Sequence, residues 1–308
     1  MIQVNNLRKL YGRQRGLQSM SLTVVPGELV GLVGPNGAGK TTLIKVLATL
    51  LRADSGEVKI GGLDVAVQKE AVRKIVGYMP DVSGVYEDMK VREFLLFFAD
   101  AYHLPSVRKE AAVDQSLEWS GLADRAESFV EHLSMGWKQR LILAKTLLHG
   151  PALLLLDEPA TGLDPLARLE LRRQLKELHQ LGVTILVSSH ILSDLEDICT
   201  RIVFIAEGNN VGESAGHNAV AGPGAPPPSP VYEFEFLSSP RAAEAAATLS
   251  GVQILSSSDT FLRLALPGGK EQVPEAVRIL VGAGVGVTRV QPASGLESRY
   301  QELFGVKQ

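Results

Sequence analysis

Residues 29–42, LVGLVGPNGAGKTT, constrain this chain more than any other stretch. Residues 29–33 form a short apolar run of the kind that becomes a buried strand. Gly34-Pro35-Asn36-Gly37-Ala38-Gly39-Lys40-Thr41, with Thr42 behind it, follows the pattern G-x-x-x-x-G-K-[ST]. Leu43, Ile44, Val46, Leu47 and Leu50 then suit a helix. Strand, loop and helix in that order are the context a phosphate-binding loop requires. The glycines let the backbone turn tightly and approach an anion. Successive N–H groups can point inward at the positive end of the helix dipole. Lys40 adds a point charge for the outer phosphates, and the Thr41 hydroxyl is placed to bind Mg²⁺.

The rest of the composition bounds the class. A chain of 308 residues fits one large and one small domain. Hydrophobic residues make up 45%, enough for a globular core. A net charge of -3 argues against nonspecific nucleic-acid binding, so no nucleic acid is expected as a partner. Cys199 is the only cysteine, which excludes an intramolecular disulfide and suits a reducing compartment. The first residues, MIQVNNLRKLYG, hold no apolar signal region. The best candidate for a bilayer span, residues 141–156, is broken by Lys145, His149, Gly150 and Pro151. Work at a membrane would need another chain to supply the membrane part.

Along the chain, residues 2–28 read as two strand-like pieces around a turn near Tyr11 and Gly12, and residues 55–62 and 75–79 as further strands with turns. Residues 88–121 turn helical, with Val91, Phe94, Leu95 and Phe98 as a core-facing stripe. A polar turn at residues 133–140 feeds an apolar helix that Gly150-Pro151 stops. Leu153-Leu154-Leu155-Leu156 cannot alternate faces and should be covered on both, as in a parallel sheet. Asp157 and Glu158 end that strand, where the ligand crevice of an open α/β sheet lies. Residues 165–181 predict an amphipathic helix whose charges, Arg168, Glu170, Arg172, Arg173, Lys176 and Glu177, read as a solvated face. Residues 183–187 predict another buried strand, ending in Ser188-Ser189-His190 on the same ligand edge. Residues 213–230 read as a linker rich in Gly, Ala and Pro. Beyond it, residues 231–308 have a βαββαβ order, which suggests a small ferredoxin-like α+β domain, with a last helix at residues 296–304.

Taken together, these motifs resemble the ATP-binding subunit of an ATP-binding cassette (ABC) transporter, over about residues 1–210. GPNGAGKT is similar to that family's phosphate loop, and Leu133-Ser134-Met135-Gly136-Trp137 stands where its signature is LSGGQ. LLLLDEP resembles its Walker B strand, Gly162-Leu163-Asp164 its D-loop, and His190 stands at its switch histidine. Tyr11 sits where the family stacks an aromatic on adenine. The resemblance implies a P-loop α/β ATPase domain over residues 1–212, with a helical subdomain at about residues 82–150. It implies ATP and Mg²⁺ as ligands, with Asp157 on the metal, Glu158 on the attacking water and His190 on the γ-phosphate. It also implies a head-to-tail dimer with a second ATP-binding subunit, in which Ser134 and Gly136 contact the partner's nucleotide. Transmembrane permease subunits would then hold the chain on the cytoplasmic face of the membrane. The tail is similar to the accessory domain of some exporter-type subunits.

Two motifs depart from the family pattern. Asp81 replaces the usual Gln after the strand and Pro80, and is expected to face Mg²⁺; the alternative is that it turns outward and caps the loop before Ser83. Met135 and Trp137 replace Gly and Gln in the signature and read as tolerated variation. A non-transport ABC ATPase and a weakly hydrolysing, nucleotide-gated regulatory module remain alternatives to a transporter subunit, probed respectively by a neighbouring membrane-protein gene and by turnover.

Overall fold

A computed structural model describes residues 1–12, 15–81, 84–215, 231–237, 242–249 and 251–292. The chain divides into two compact units, Met1–Ala219 and Val220–Gln308.

In the first unit, β1 (Ile2–Tyr11) and β2 (Arg15–Val24) pair antiparallel, and Tyr11 is the last residue of β1. β1 buries Ile2 and Val4 and exposes Gln3 between them, the period-two signature of a sheet with one covered face, until a register shift after Val4 places the next buried residue at Leu7. β3 (Leu29–Val33) is buried at every position and leads through the Gly-rich loop into α1 (Lys40–Leu47). β4 (Ser55–Ile60) and β5 (Leu63–Asp64) complete a four-stranded antiparallel sheet in the order β2-β1-β4-β5. α2 (Lys69–Ile75) then runs into β6 (Val76–Met79).

The next segment is helical. α3 (Val91–Ala101), α4 (Ser106–Ser120) and α5 (Met135–Leu147) share a core of their own, in which Val91, Phe94, Leu95, Val113, Leu117, Leu141 and Leu148 are buried. Each such side chain contributes about 1.5–3 kcal/mol by leaving water. Phe98, the last residue of the predicted stripe, is half-buried against this core.

β7 (Leu153–Leu156), α6 (Pro165–Gln180), β8 (Thr184–Ser189), β9 (Arg201–Ala206) and β10 (Asn209–Ala215) complete the unit. The second sheet has the order β10-β9-β3-β8-β7-β6; its strands are parallel except for the antiparallel edge strand β10. All four leucines of β7 are fully buried, the two-sided cover that an unbroken apolar run requires. Parallel pairing has a consequence for chemistry. Gly34, Asp157 and His190, which directly follow β3, β7 and β8, and Asp81, two residues beyond β6, lie at the same edge of the sheet. β10 reaches Ala215, so residues 213–215 belong to a sheet and not to the linker expected over residues 213–230. The alternation of residues 213–215 is too short to register against the Gly/Pro-rich stretch that follows. Residues 216–230, residues 296–304 and Ser83 lie outside the described residues.

The second unit runs β11 (Val231–Phe236), α7 (Ala242–Ala246), β12 (Gln253–Ser257), β13 (Phe261–Ala265), α8 (Val273–Gly282) and β14 (Val287–Pro292). Its antiparallel sheet has the order β12-β13-β11-β14, the arrangement of a ferredoxin-like βαββαβ fold. Tyr232, Phe234 and Phe236 of β11 alternate into a core with Ala242, Ala246 and Leu280.

Candidate nucleotide site

The loop between β3 and α1 closes around two glycines with distinct constraints. Gly39 caps α1 at φ 110, a left-handed conformation, and a Cβ there would lie 2.9 Å from Leu17. A Cβ on Gly34 would lie 2.1 Å from the carbonyl oxygen of Ile205, so only glycine lets the loop pass the end of β9. Ala38 is buried, Pro35 and Asn36 are exposed, and Gly37 has φ 81 with open space where a Cβ would stand. Thr42 follows Thr41 in the first turn of α1.

Lys40 is only 5% exposed, and its ammonium turns back into this loop. Nζ donates to the carbonyl of Gly34 at 2.6 Å and of Pro35 at 3.3 Å, and lies 3.3 Å from Glu158 Oε1. The other oxygen of Glu158 is 2.7 Å from His190 Nδ1 and accepts the His190 backbone N–H at 3.3 Å. Glu158 itself sits at φ 50, an uncommon conformation for a residue with a side chain. Its backbone N–H donates to Ser188 Oγ at 2.9 Å, which helps hold that strained turn.

Asp157 is fully buried at the end of β7. Its Oδ1 accepts from the Ser188 hydroxyl at 2.8 Å and from the Thr41 hydroxyl at 3.2 Å. Its Oδ2 is buried with no hydrogen-bond partner among the described residues. Burial pushes the Asp157 carboxyl above its ordinary range; the hydroxyls of Ser188 and Thr41 pull it back, and the Asp81 and Glu158 charges push it up again. A buried carboxylate oxygen left without a partner calls for an explanation, and beside a threonine hydroxyl it suits a small, hard divalent cation.

Asp81 is exposed after β6, and its charge reaches the same place. The Tyr78 phenol is pushed up to about 12, by burial first and then by the charges of Asp157 and Asp81. Among the described residues no group of three or more His, Cys, Asp or Glu side chains is arranged to hold an ion, so Asp81 is not gathered with Asp157 and Glu158 into a carboxylate cage.

Ser134 and Gly136 lie elsewhere on the unit. Ser134 is the N-cap of α5, and Gly136 in its first turn lies so close to α6 that a Cβ would be 3.2 Å from that of Ala167. Both line an open cleft of about 550 Å³ together with Trp137, Arg140, Asp164 and Ala167. Trp137 is clasped between the guanidinium groups of Arg125, at 4.7 Å, and Arg140, at 4.6 Å, a pair of cation–π contacts that gives this departure from the family pattern a packing role. Tyr11 is 49% exposed at the end of β1.

Lys40, Thr41, Asp157, Glu158 and His190 are thus connected by polar contacts that run through Ser188, and none of the polar contacts described joins Tyr11, Ser134 or Gly136 to that network. Sequence reasoning missed Ser188, which joins the two acids; its place between a buried strand and His190 was the available signal. It also misassigned Arg168 and Arg172. Arg168 Nε donates to the Leu163 carbonyl at 3.1 Å, and Arg172 pairs with Asp194, so neither belongs to a merely solvated face. Their partners are loop residues, which no helical period reveals.

A phosphate loop, a buried metal-suited acid and a glutamate at the carboxyl ends of parallel strands define a P-loop ATPase. The family model described as ABC transporter matches residues 17–161. The Nod factor export ATP-binding protein I of Burkholderia lata is 38% identical over 216 residues, which is 70% of this chain and 71% of that protein. The bacitracin transport ATP-binding protein BcrA of Bacillus licheniformis is 38% identical over 209 residues, 68% of this chain and 67% of that one. A solved ATP-binding subunit of an ABC transporter is 33% identical, with a TM-score of 0.63 over 70% of this chain and 90% of that one. The chain belongs to the ATP-binding subunits of ABC transporters, ATPases that bind ATP and couple its hydrolysis to transport through membrane components. Among the described residues, no helix is long and apolar enough to cross a membrane.

Proposed function

We propose that this chain powers an exporter, on the cytoplasmic face of the membrane, by closing as a homodimer over ATP and driving separate transmembrane permease subunits. The export and transport roles in the names of its relatives support the direction. One observation carries the catalytic reading: Glu158 is held between Lys40 and His190 while its neighbour Asp157 keeps a buried oxygen unpaired among the described residues.

In this reading residues 34–42 cradle the phosphates through backbone N–H groups, and Lys40 exchanges its loop carbonyls for the outer phosphate oxygens. Thr41 and Asp157 hold Mg²⁺, with Asp81 adding charge beside them; the ion supplies neutralisation of phosphate charge when bound. Glu158 orients the attacking water and accepts its proton. His190 keeps the carboxylate aimed through Nδ1 and offers its other ring nitrogen to the γ-phosphate. Tyr11 packs on the adenine. Ser134 and the Gly136 amide reach the nucleotide of the partner subunit. Residues 1–212 carry all of this chemistry; residues 231–308 tune partner docking or dimer lifetime.

The test is a search for a multi-span membrane protein encoded beside this chain, co-purification of the two, and reconstitution in vesicles. ATP-dependent efflux that Glu158→Gln abolishes is the expected result. A complex that hydrolyses ATP without moving any solute outward, or uptake in place of efflux, would sink the exporter reading.

A further inference from the structure

We infer that Arg168 and Arg172 of α6 are positioning residues for hydrolysis: together they set His190 on Glu158 and tie that pair to the loop Gly162-Leu163-Asp164. The inference rests on the roles of Glu158 and His190 given above.

The two arginines are four residues apart, one helical turn, and so share a face of α6. Arg168 Nε holds the Leu163 carbonyl at 3.1 Å, just before Asp164, whose side chain caps α6 by accepting the Ala167 N–H at 2.9 Å. Arg172 Nη2 donates to Asp194 Oδ1 at 2.8 Å, and Nη1 lies 4.0 Å from Asp197. Asp194 is only 5% exposed and closes the 3-10 turn Leu192–Asp194 that begins two residues after His190. On the other side of His190, the Ser189 hydroxyl donates to the Ile191 carbonyl at 3.1 Å and accepts the Ile191 N–H at 2.9 Å. His190 therefore hangs between two pinned points. One is internal to its own loop. The other is supplied by α6.

The same arginines line a gap of only about 10 Å³ with Pro159, Ala160, Ser188 and Ser189, the backbone directly behind Glu158 and His190. Packing this close leaves no slack to absorb a shift of α6. A movement at Asp164 therefore reaches Asp194 through a rigid helix, and the 2.7 Å contact between Glu158 and His190 opens or closes with it. Placing both anchors on one helix makes hydrolysis depend on where the loop Gly162-Leu163-Asp164 sits.

Replacing a buried ion pair with apolar side chains of similar volume is often neutral for stability, which separates positioning from folding. The full chain is assayed for Mg²⁺-dependent ATP hydrolysis as wild type, Arg172→Met/Asp194→Leu, Arg172→Lys and His190→Ala, with thermal unfolding as the fold control. The double variant should keep its melting temperature and its KM for ATP, lose at least roughly tenfold in kcat, and shift the His190 ring ¹⁵N signals; Arg172→Lys, which keeps the charge, should recover part of the rate. Wild-type kcat in the double variant beside an inactive His190→Ala would overturn the positioning role. Normal turnover in His190→Ala would overturn the role of His190 itself, and the inference with it. Should the double variant not fold, Asp194→Asn answers the same question: it should lose kcat at constant KM, and an unchanged kcat counts against the inference.

Discussion

Glu158 Oε2 and His190 Nδ1 stand 2.7 Å apart across 32 residues of sequence, and the second Glu158 oxygen stands 3.3 Å from Lys40 Nζ. The carboxylate is thereby oriented by a ring on one side and a cation on the other before any water reaches it. Preorganisation of this kind lets a weak base act at a defined point.

Glu158→Gln keeps the size and hydrogen-bonding reach of the side chain but cannot take a proton. Turnover should fall by about a hundredfold or more, while ATP binding remains. ATP-bound dimer should accumulate in size-exclusion chromatography with Mg²⁺. A variant that hydrolyses normally and stays monomeric would contradict the base assignment.

Lys40→Ala removes the buried ammonium that now satisfies the Gly34 and Pro35 carbonyls. ATP affinity should drop by at least about tenfold and hydrolysis should vanish, because no other cation contacts the loop interior among the hydrogen bonds described. Equilibrium nucleotide binding and phosphate release measure the two effects separately. Near-normal turnover would refute the phosphate-loop role.

Asp81 raises the proton affinity of Asp157 through its charge although it is exposed. Neutralising it should flatten the Mg²⁺ dependence of the ATPase rate, and Asp81→Asn should need more metal for half-maximal rate than wild type. Asp81→Gln should be less steeply Mg²⁺-dependent than wild type. Superimposable Mg²⁺ titrations of all three proteins would mean that Asp81 does not sense the metal.

His149 gives a pH-dependent stability term. Its Nε2 donates to the Val76 carbonyl at 3.1 Å, its ring packs on Tyr102 at 4.3 Å, and its Nδ1 is buried with no partner among the described residues. Burial lowers its pKa from the ordinary 6.5, against a smaller opposing effect of the Val76 hydrogen bond. The unfolded chain therefore binds a proton that the folded chain resists, and stability present above about pH 6.5 is lost as pH falls toward the folded value. His149→Gln, which can still donate to Val76, should lose less melting temperature than wild type between pH 7.5 and pH 5.5. Parallel losses in both proteins would show that His149 is not the titrating group.

Much of the site was legible in the sequence because its parts are local. The loop from Gly34 to Thr41 needs glycines at fixed spacing between a strand and a helix, and eight neighbouring residues carry that requirement. Asp157 and Glu158 announced themselves as acids at the end of four buried leucines. The βαββαβ order of the second unit was legible for a similar reason, since period-two and period-3.6 patterns survive without tertiary contacts. Arg168 and Arg172 misled for the opposite reason: charge on a helix looks solvated until the loop that covers it is known.

The sequence by itself determined where the Gly-rich loop would lie between a strand and a helix and which strands would be buried. Only the tertiary structure decided how the chemistry is assembled. Thr41 meets Asp157 across 116 residues, Ser188 ties Asp157 to the Glu158 backbone across 31 and 30, and Arg172 reaches Asp194 across 22. Backbone geometry sets spacing within a turn or a strand end, but a contact between distant segments depends on strand order and packing. The order β3-β8-β7-β6 brought these strand ends to one edge, and no periodicity in the chain encodes that order.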